Sequence, residues 1–344
     1  MIHSLIIGFG ISGLTYAEQL IKNKKKFIII DEKEPGASSV ASGVYNPTVL
    51  KRYSMTWNGD QFLKYAIPFY EKISKRIDQK INYPSSINRI FSKPAEFNQW
   101  SSASDNPVLK KYLLNQYFTE ANKYINSPNG YGKVVNTGRI DLQQLIKTFK
   151  DQLENSIFNI DEFDYERLNI ETGKIEYKGI MAKNIVFCEG HKIKYNPYFN
   201  FLPIRGSKGE MLIIKAPLLQ ENEIIKGPIF IVPIKNDLYW VGANFDNTYV
   251  TLNPTEKSKN WILEKLNKII ICSYKVIEHK AHIRPTVADR KPIIGTHKEF
   301  KNLHVLNGLG SRGILSAPLL SNWLYQSIQS NEKIPIEVNI SRFN

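Results

Sequence analysis

The 344-residue chain is poor in cysteine, in acidic residues and in long apolar runs. Its two cysteines, Cys188 and Cys272, lie far apart and match no metal-ligand spacing, so no metal is expected. No run of eighteen or more apolar residues occurs, which excludes a membrane-spanning helix. Glycine (20) and proline (17) are at ordinary levels, indicating neither a collagen-like chain nor wholesale disorder. There is no internal repeat and no low-complexity linker. A glycine motif already begins at residue 8, leaving no room ahead of it for a removable signal peptide, and a reduced, cytoplasmic protein is the expectation. Length and a 42% hydrophobic content allow a full core and suggest two domains.

The shortage of acid has its own consequence. Asp and Glu number 32 against 46 Lys and Arg, a formal net charge of +14. That balance fits a surface for nucleic acid or another polyanion, or a Lys-, Ile- and Asn-rich composition spread over the whole surface. The one dense block, Lys24-Lys25-Lys26, falls in a short turn before a strand.

What is present is organised. Residues 3–7 read as an apolar strand, a glycine turn follows, residues 14–22 carry apolar positions at helical spacing, and "KFIIIDE" is a second buried strand. Pro35-Gly36 then breaks the chain. Residues 57–125 look helical, irregular and aromatic-rich, with Trp57, Phe62, Tyr65, Phe69, Tyr70, Trp100 and Tyr112 as core candidates. "GRIDLQQLIKTFKDQL" reads as a helix capped by Asp141, and "KNIVFCEG" as a buried strand. "GEMLIIKA", "GPIFIVPIK" and "LYWVGANFD" suggest an antiparallel sheet, interrupted by the helix "PTEKSKNWILEKLNKII". "NLHVLNGLGSRG" is a strand and a second glycine loop, and "ILSAPLLSNWLYQSIQ" a last helix. The expected fold is α/β with an α+β second domain: a Rossmann-like domain from residues 1–56, 134–200 and 281–344, interleaved with an antiparallel-sheet substrate domain from 57–133 and 201–280.

Gly8, Gly10 and Gly13 spell G-x-G-x-x-G in the strand–turn–helix–strand context that dinucleotide binding requires. The first glycine permits the turn, the second admits the pyrophosphate, and the third lets helix and strand pack closely. The helix N-terminus offers free N–H groups to phosphate. Asp31, 23 residues after Gly8, is placed to hold ribose hydroxyls, with Glu32 as competitor. Glycines alone do not separate NAD from FAD. The hydroxyl-rich "ASSVASGVYNP" and the second loop, "NGLGSRGILSAP", favour FAD, because an extended flavin needs a distant second contact and a nicotinamide does not.

At this point the chain resembles the FAD-dependent amine and amino-acid oxidoreductases that include D-amino acid oxidase and glycine oxidase. GFGISG, IIIDE, SSVASG, FCEG, "IRPTVADRKPIIG" and "NGLGSRGILSAP" carry the likeness over nearly the whole chain. The "GLGSRG…AP" spelling is similar to the oxidase half of the bifunctional enzyme that builds methylaminomethyl-uridine at the tRNA wobble position; glycine oxidases more often have G-H-x-R-x-G there. The methyltransferase half has no counterpart in this sequence.

The resemblance implies C–N bond oxidation, with hydride transfer from the α C–H to flavin N5 and hydrolysis of the resulting imine. Arg284 would grip a substrate carboxylate, the alternative being a salt bridge to Asp289; Arg312 would touch substrate or flavin. Gly308, Leu309, Gly310, Ser311, Gly313 and Ile314 would line the flavin's pyrimidine side, with the helix from Gly313 pointing its N-terminus at the ring. Residues 8–13 (Gly8, Phe9, Gly10, Ile11, Ser12, Gly13), Asp31 or Glu32, Ser39, Ala41 and Ser42 would hold the rest of the cofactor. Phe163, expected in a strand, would pair its backbone with adenine. Cys188, a small buried residue of its strand, and Gly190 count as cofactor neighbours. Tyr45, Arg52 and His282 are substrate-side candidates, and Lys280 or His282 could stabilise superoxide if oxygen is the acceptor. A small free amine or amino acid (glycine, sarcosine, a D-amino acid) is the leading substrate expectation. The alternatives are a carboxymethylaminomethyl group on tRNA and a non-catalytic flavin-binding factor.

Overall fold

A computed structural model describes all residues except 33, 35, 120, 121, 155 and 344. The expected break at Pro35 therefore lies outside the described residues, while Gly36 is the N-cap of a 3-10 turn, Ala37–Ser39. In chain order the first elements are β1 (Ile2–Ile7), α1 (Ile11–Lys22), β2 (Phe27–Asp31), α2 (Gly59–Arg76), β3 (Ile87–Ile90), α3 (Glu96–Ser104), β4 (Tyr131–Val134) and α4 (Leu142–Asp151). Then come β5 (Phe158–Ile160), β6 (Leu168–Glu171), β7 (Lys174–Tyr177), β8 (Ile180–Phe187), β9 (Ile204–Lys215), β10 (Ile224–Lys226), β11 (Phe230–Pro233) and β12 (Leu238–Gly242). The last are α5 (Glu256–Leu266), β13 (Lys275–Val287), β14 (Ile293–Thr296), β15 (Leu303–Asn307) and α6 (Gly313–Ser330).

Two large sheets organise these elements. In the first, β5, β2, β1, β8 and β15 lie side by side and all parallel, the inner strands as largely buried Ile/Val/Leu/Phe runs should, with β5 a more exposed edge. The first half of β8 also pairs with the β7–β6 antiparallel ribbon, and β14 runs antiparallel to β15. Helices α1 and α6 pack on each other and on this sheet, with Leu14, Tyr16, Ala17, Leu20, Leu320 and Leu324 completely buried.

The second sheet runs β13-β9-β12-β11-β10-β3-β4. Its pairs are antiparallel as expected, with one exception: β10 and β3 are parallel, joining a strand from the expected helical region to the sheet. Residues 57–125 are thus not wholly helical; "INRI" forms β3 between α2 and α3. The "GRI" that opens the expected fourth helix is a short strand, Gly138–Ile140, held by pairing with Val44–Tyr45 and Asn82–Pro84. Asp141 then caps α4, its side chain accepting from Gln144 N. The aromatic stripe is core: Phe62, Tyr70, Trp100 and Tyr112 are buried, and Trp57, Tyr65 and Phe69 pack against them. Tyr70 ties α2 to the start of α6 by donating to Ile314 O at 2.8 Å. No helix among the described residues is long and apolar enough to cross a membrane.

Candidate active site

The carboxyl ends of β1, β2, β8 and β15 open into one cavity of about 770 Å³, whose far wall is the second sheet. This is where a doubly wound sheet offers its loops to a ligand. Gly8 (φ +92°) turns the chain out of β1, and a Cβ there would stand 2.7 Å from Cys188 O. A Cβ on Gly13 would fall 2.0 Å from Gly8 O, so α1 can sit this close to the turn only with glycine at that position. Ile11 N donates to Ser38 Oγ, and the first intrahelical bond is Leu14 N to Gly10 O. The N–H groups of Ser12 and Gly13 therefore have no partner within the helix, and no acidic side chain occupies its first turn.

The choice between Asp31 and Glu32 resolves on geometry. Glu32 is ion-paired with Lys192, whereas Asp31 holds the turn by accepting from Phe9 N at 2.8 Å. Burial raises the Asp31 carboxyl from its ordinary 3.8 to about 6, against that hydrogen bond. Glu189, after β8, is pushed up by burial to about 7 and accepts from Tyr165 Oη and from Asn196 Nδ2.

Across the cavity stand two guanidinium groups. Arg284, on β13, donates to Asn244 O at 3.3 Å and lies over the Phe245 ring at 4.4 Å. It does not pair with Asp289, which bonds Arg342 instead. Arg312, the N-cap residue of α6, donates to Asn46 O (2.8 Å) and Thr48 O (3.2 Å). Burial lowers both to about 10, helped for Arg312 by Arg290, so both stay cationic at neutral pH. Among the described residues no carboxylate lies within ion-pair distance of either.

Of the expected residues, Gly8, Phe9, Gly10, Ile11 and Ser12 border the cavity, with Asp31, Glu32, Ser39, Ala41 and Ser42. So do Cys188, Gly190, His282, Arg284, Leu309, Gly310, Ser311, Arg312, Gly313 and Ile314. Five do not. Gly13 and Gly308 act from behind the wall, Gly308 (φ +72°) shaping the turn after β15. Phe163 is not in a strand; it follows β5 and is stacked on Tyr177 inside the core, while Ile160 borders the cavity. Tyr45 is buried and donates to Asn82 Oδ1, and Arg52 is exposed on a separate shallow groove. Lys280 is exposed and paired with Glu278, which leaves His282, packed edge-on to His191, as the cavity-side member of that pair.

The sequence reading missed residues on the sheet wall. Ser38, not Ser39, receives the Ile11 N–H. Gly209 is the floor under Arg284: a Cβ there would be 2.0 Å from Nη2 and 2.3 Å from Cζ. Glycine inside a long strand was the available signal for such a close approach, although Gly206 in the same strand carries it equally. Met211, Lys226, Phe230 and Trp240 complete the wall and carry no comparable signal.

The glycine turn, the free helix N–H groups, a half-buried carboxylate at the end of β2 and a second positive-φ loop at Gly310 (φ +55°) fit an extended flavin dinucleotide. The family described as FAD dependent oxidoreductase (DAO) matches residues 3–326. The chain belongs to this family. It is therefore an FAD-dependent oxidoreductase, and both glycine loops of its motif set open into the cavity. The chain is 25% identical, over 93% of its length, to the tRNA 5-methylaminomethyl-2-thiouridine biosynthesis bifunctional protein MnmC of Legionella pneumophila (strain Lens). It is 22% identical over 96% to the protein of that name in Campylobacter jejuni subsp. doylei. It spans about half of these relatives, 53% and 56% of their lengths. Its fold is similar to iminodiacetate oxidase (IdaA) from Chelativorans sp. BNC1 (TM-score 0.81, 17% identity, 99% of this chain and 98% of that one). It is equally similar to glycine oxidase from Geobacillus kaustophilus (TM-score 0.81, 18% identity, 100% and 98%).

Proposed function

We propose that this DAO-family chain oxidises the C–N bond of a secondary amine bearing a carboxymethyl group, and that the amine is carried by a tRNA uridine. On this reading residues 1–56, 134–200 and 281–344 form the flavin-binding domain, and 57–133 and 201–280 the substrate domain. The observation that carries it is the pair of partly buried, desolvated guanidinium groups, Arg284 and Arg312, without carboxylate partners among the described residues in one cavity. Two desolvated cations are costly unless an anion completes them, and a glycine-like carboxylate supplies it. Arg284 forks onto that carboxylate. Arg312, fixed by Asn46 O and Thr48 O at the head of α6, would offer positive charge to a flavin held in the cavity, and such charge would favour the reduced state. Bound FAD supplies the two-electron acceptor. The substrate loses two electrons and two hydrogens across its Cα–N bond, and water cleaves the imine to glyoxylate and an aminomethyl-uridine.

The tRNA assignment places the free amino acid second, reversing the expectation from sequence. Support comes from the relatives named for tRNA 5-methylaminomethyl-2-thiouridine biosynthesis, which cover 93% and 96% of the chain, and from the +14 charge. The test is product analysis. tRNA carrying carboxymethylaminomethyl-uridine is incubated with the flavin-loaded protein, and its nucleosides are resolved by mass spectrometry. Conversion to aminomethyl-uridine with one glyoxylate released supports the reading; unchanged tRNA beside ready oxidation of glycine or sarcosine gives the site to a free amino acid.

A further inference from the structure

The cavity holds a cation that glycine-like chemistry leaves without a task. Lys226, at the end of β10, borders it; its ammonium donates to Gly227 O (2.8 Å) and Pro228 O (3.3 Å) and sits 4.6 Å from the centre of the Phe230 ring. Lys51 borders the same cavity, on the loop whose preceding residue, Leu50, accepts through its O from Arg89 Nε at 3.5 Å. Among the described residues neither ammonium has a carboxylate within ion-pair distance. Arg89, the register partner of Lys226 on β3, adds positive charge behind it, although Glu96 takes up part of that charge.

Position on the sheet sets the scale. Lys226, Phe230, Gly242 and Met211 lie in one cross-strand row, and Gly209, under the Arg284 guanidinium, is two residues along on the same face. Three strand spacings separate Gly209 from Lys226, about 14 Å across the sheet. A glycine or sarcosine held by Arg284 covers only a fraction of that span. An amine mounted on a nucleotide, with its carboxylate at one end and a phosphate at the other, has the reach.

We infer that Lys226 and Lys51 form a second anion subsite that takes the phosphate of the nucleotide carrying the amine, at the opposite end of the cavity from Arg284. The inference rests on the nucleotide-borne substrate proposed above. Burial and the Arg89 charge lower the Lys226 ammonium to about 8, so a bound phosphate also restores its full protonation.

The test follows flavin absorbance anaerobically in the flavin-loaded full chain with three probes: N-ethylglycine, 5-carboxymethylaminomethyl-uridine, and the 5′-monophosphate of that nucleoside. The nucleotide is expected to half-saturate at a concentration about tenfold below the nucleoside. Lys226→Met should abolish that gain and Lys226→Arg keep part of it. Equal half-saturation by nucleoside and nucleotide in the parent, or a gain that survives in Lys226→Met, overturns the subsite. If N-ethylglycine bleaches the flavin and neither nucleoside nor nucleotide does, the nucleotide reading itself is wrong and the subsite falls with it. Should Lys226→Met fail to load flavin, inhibition of N-ethylglycine oxidation by uridine 5′-monophosphate decides: competition supports the subsite and its absence overturns it.

Discussion

The two ends of the cavity are made of different material. The end at β1 and β2 is backbone: a positive-φ glycine, free helix N–H groups and one carboxylate, all within residues 8–31. The end at the second sheet and the head of α6 is side chains brought together from far apart: Arg284 over Gly209 and Lys226 beside Phe230 on the sheet, with Arg312 bonded to Asn46 and Thr48 at the helix. A backbone site binds what many relatives share, a dinucleotide. A side-chain site can be re-specified residue by residue, so substrate choice belongs to the sheet wall.

That contrast breaks most sharply at Arg284. Arg284→Met should lower kcat/KM for a carboxymethyl amine roughly 100- to 1,000-fold, mostly through KM, because a buried charge pair loses one partner. Steady-state kinetics with the carboxylate substrate and its methyl amide would show it; equal losses for both would mean the arginine does not bind carboxylate. At the other end, Gly13→Ala drives a Cβ to 2.0 Å from Gly8 O. The shift of α1 this demands should cost about 1–3 kcal/mol and reduce flavin retention, read as a lower Tm and a lower flavin-to-protein ratio. Gly209→Ala sharpens the comparison, because its added Cβ meets the mobile end of a side chain and not backbone. KM should rise about tenfold, equivalent to ~1.4 kcal/mol, with Tm nearly unchanged; an unfolded variant would make Gly209 a packing residue instead.

The smallest effect concerns Asp31. An acid raised from 3.8 to about 6 binds its proton more tightly in the folded chain than in the unfolded one. Folding stability of the flavin-free protein therefore falls as pH rises from about 4 to 6, and the penalty is fully present above that. Flavin-free Asp31→Asn should melt above the parent at pH 7 and lose that advantage at pH 4, while binding FAD more weakly. A melting difference independent of pH would contradict the assignment.

The same contrast explains what could be read before the structure. The β1–turn–α1–β2 unit was legible because its signals are local: continuous apolar runs, helical spacing, glycine spacing and a carboxylate at fixed distance. Arg284 and Arg312 were legible from the motifs around them, though not their backbone partners. "GRI" and "INRI" were misread because tertiary pairing, with Val44–Tyr45 and with β10, decides their strand state. Phe163 was expected in a strand but lies in irregular chain after β5, its ring completing an aromatic core with Tyr177 and Phe187. Lys226 was invisible, since nothing in "EIIKGP" tells which face of a strand meets a cavity 58 residues from Arg284 in the chain.

The most direct test of the central claim is anaerobic mixing of the flavin-loaded protein with an anticodon stem-loop carrying carboxymethylaminomethyl-uridine, followed at the flavin absorbance band. Complete bleaching with stoichiometric release of glyoxylate is the predicted result. A flavin that stays oxidised with this RNA, and equally with free carboxymethyl amines, would contradict it.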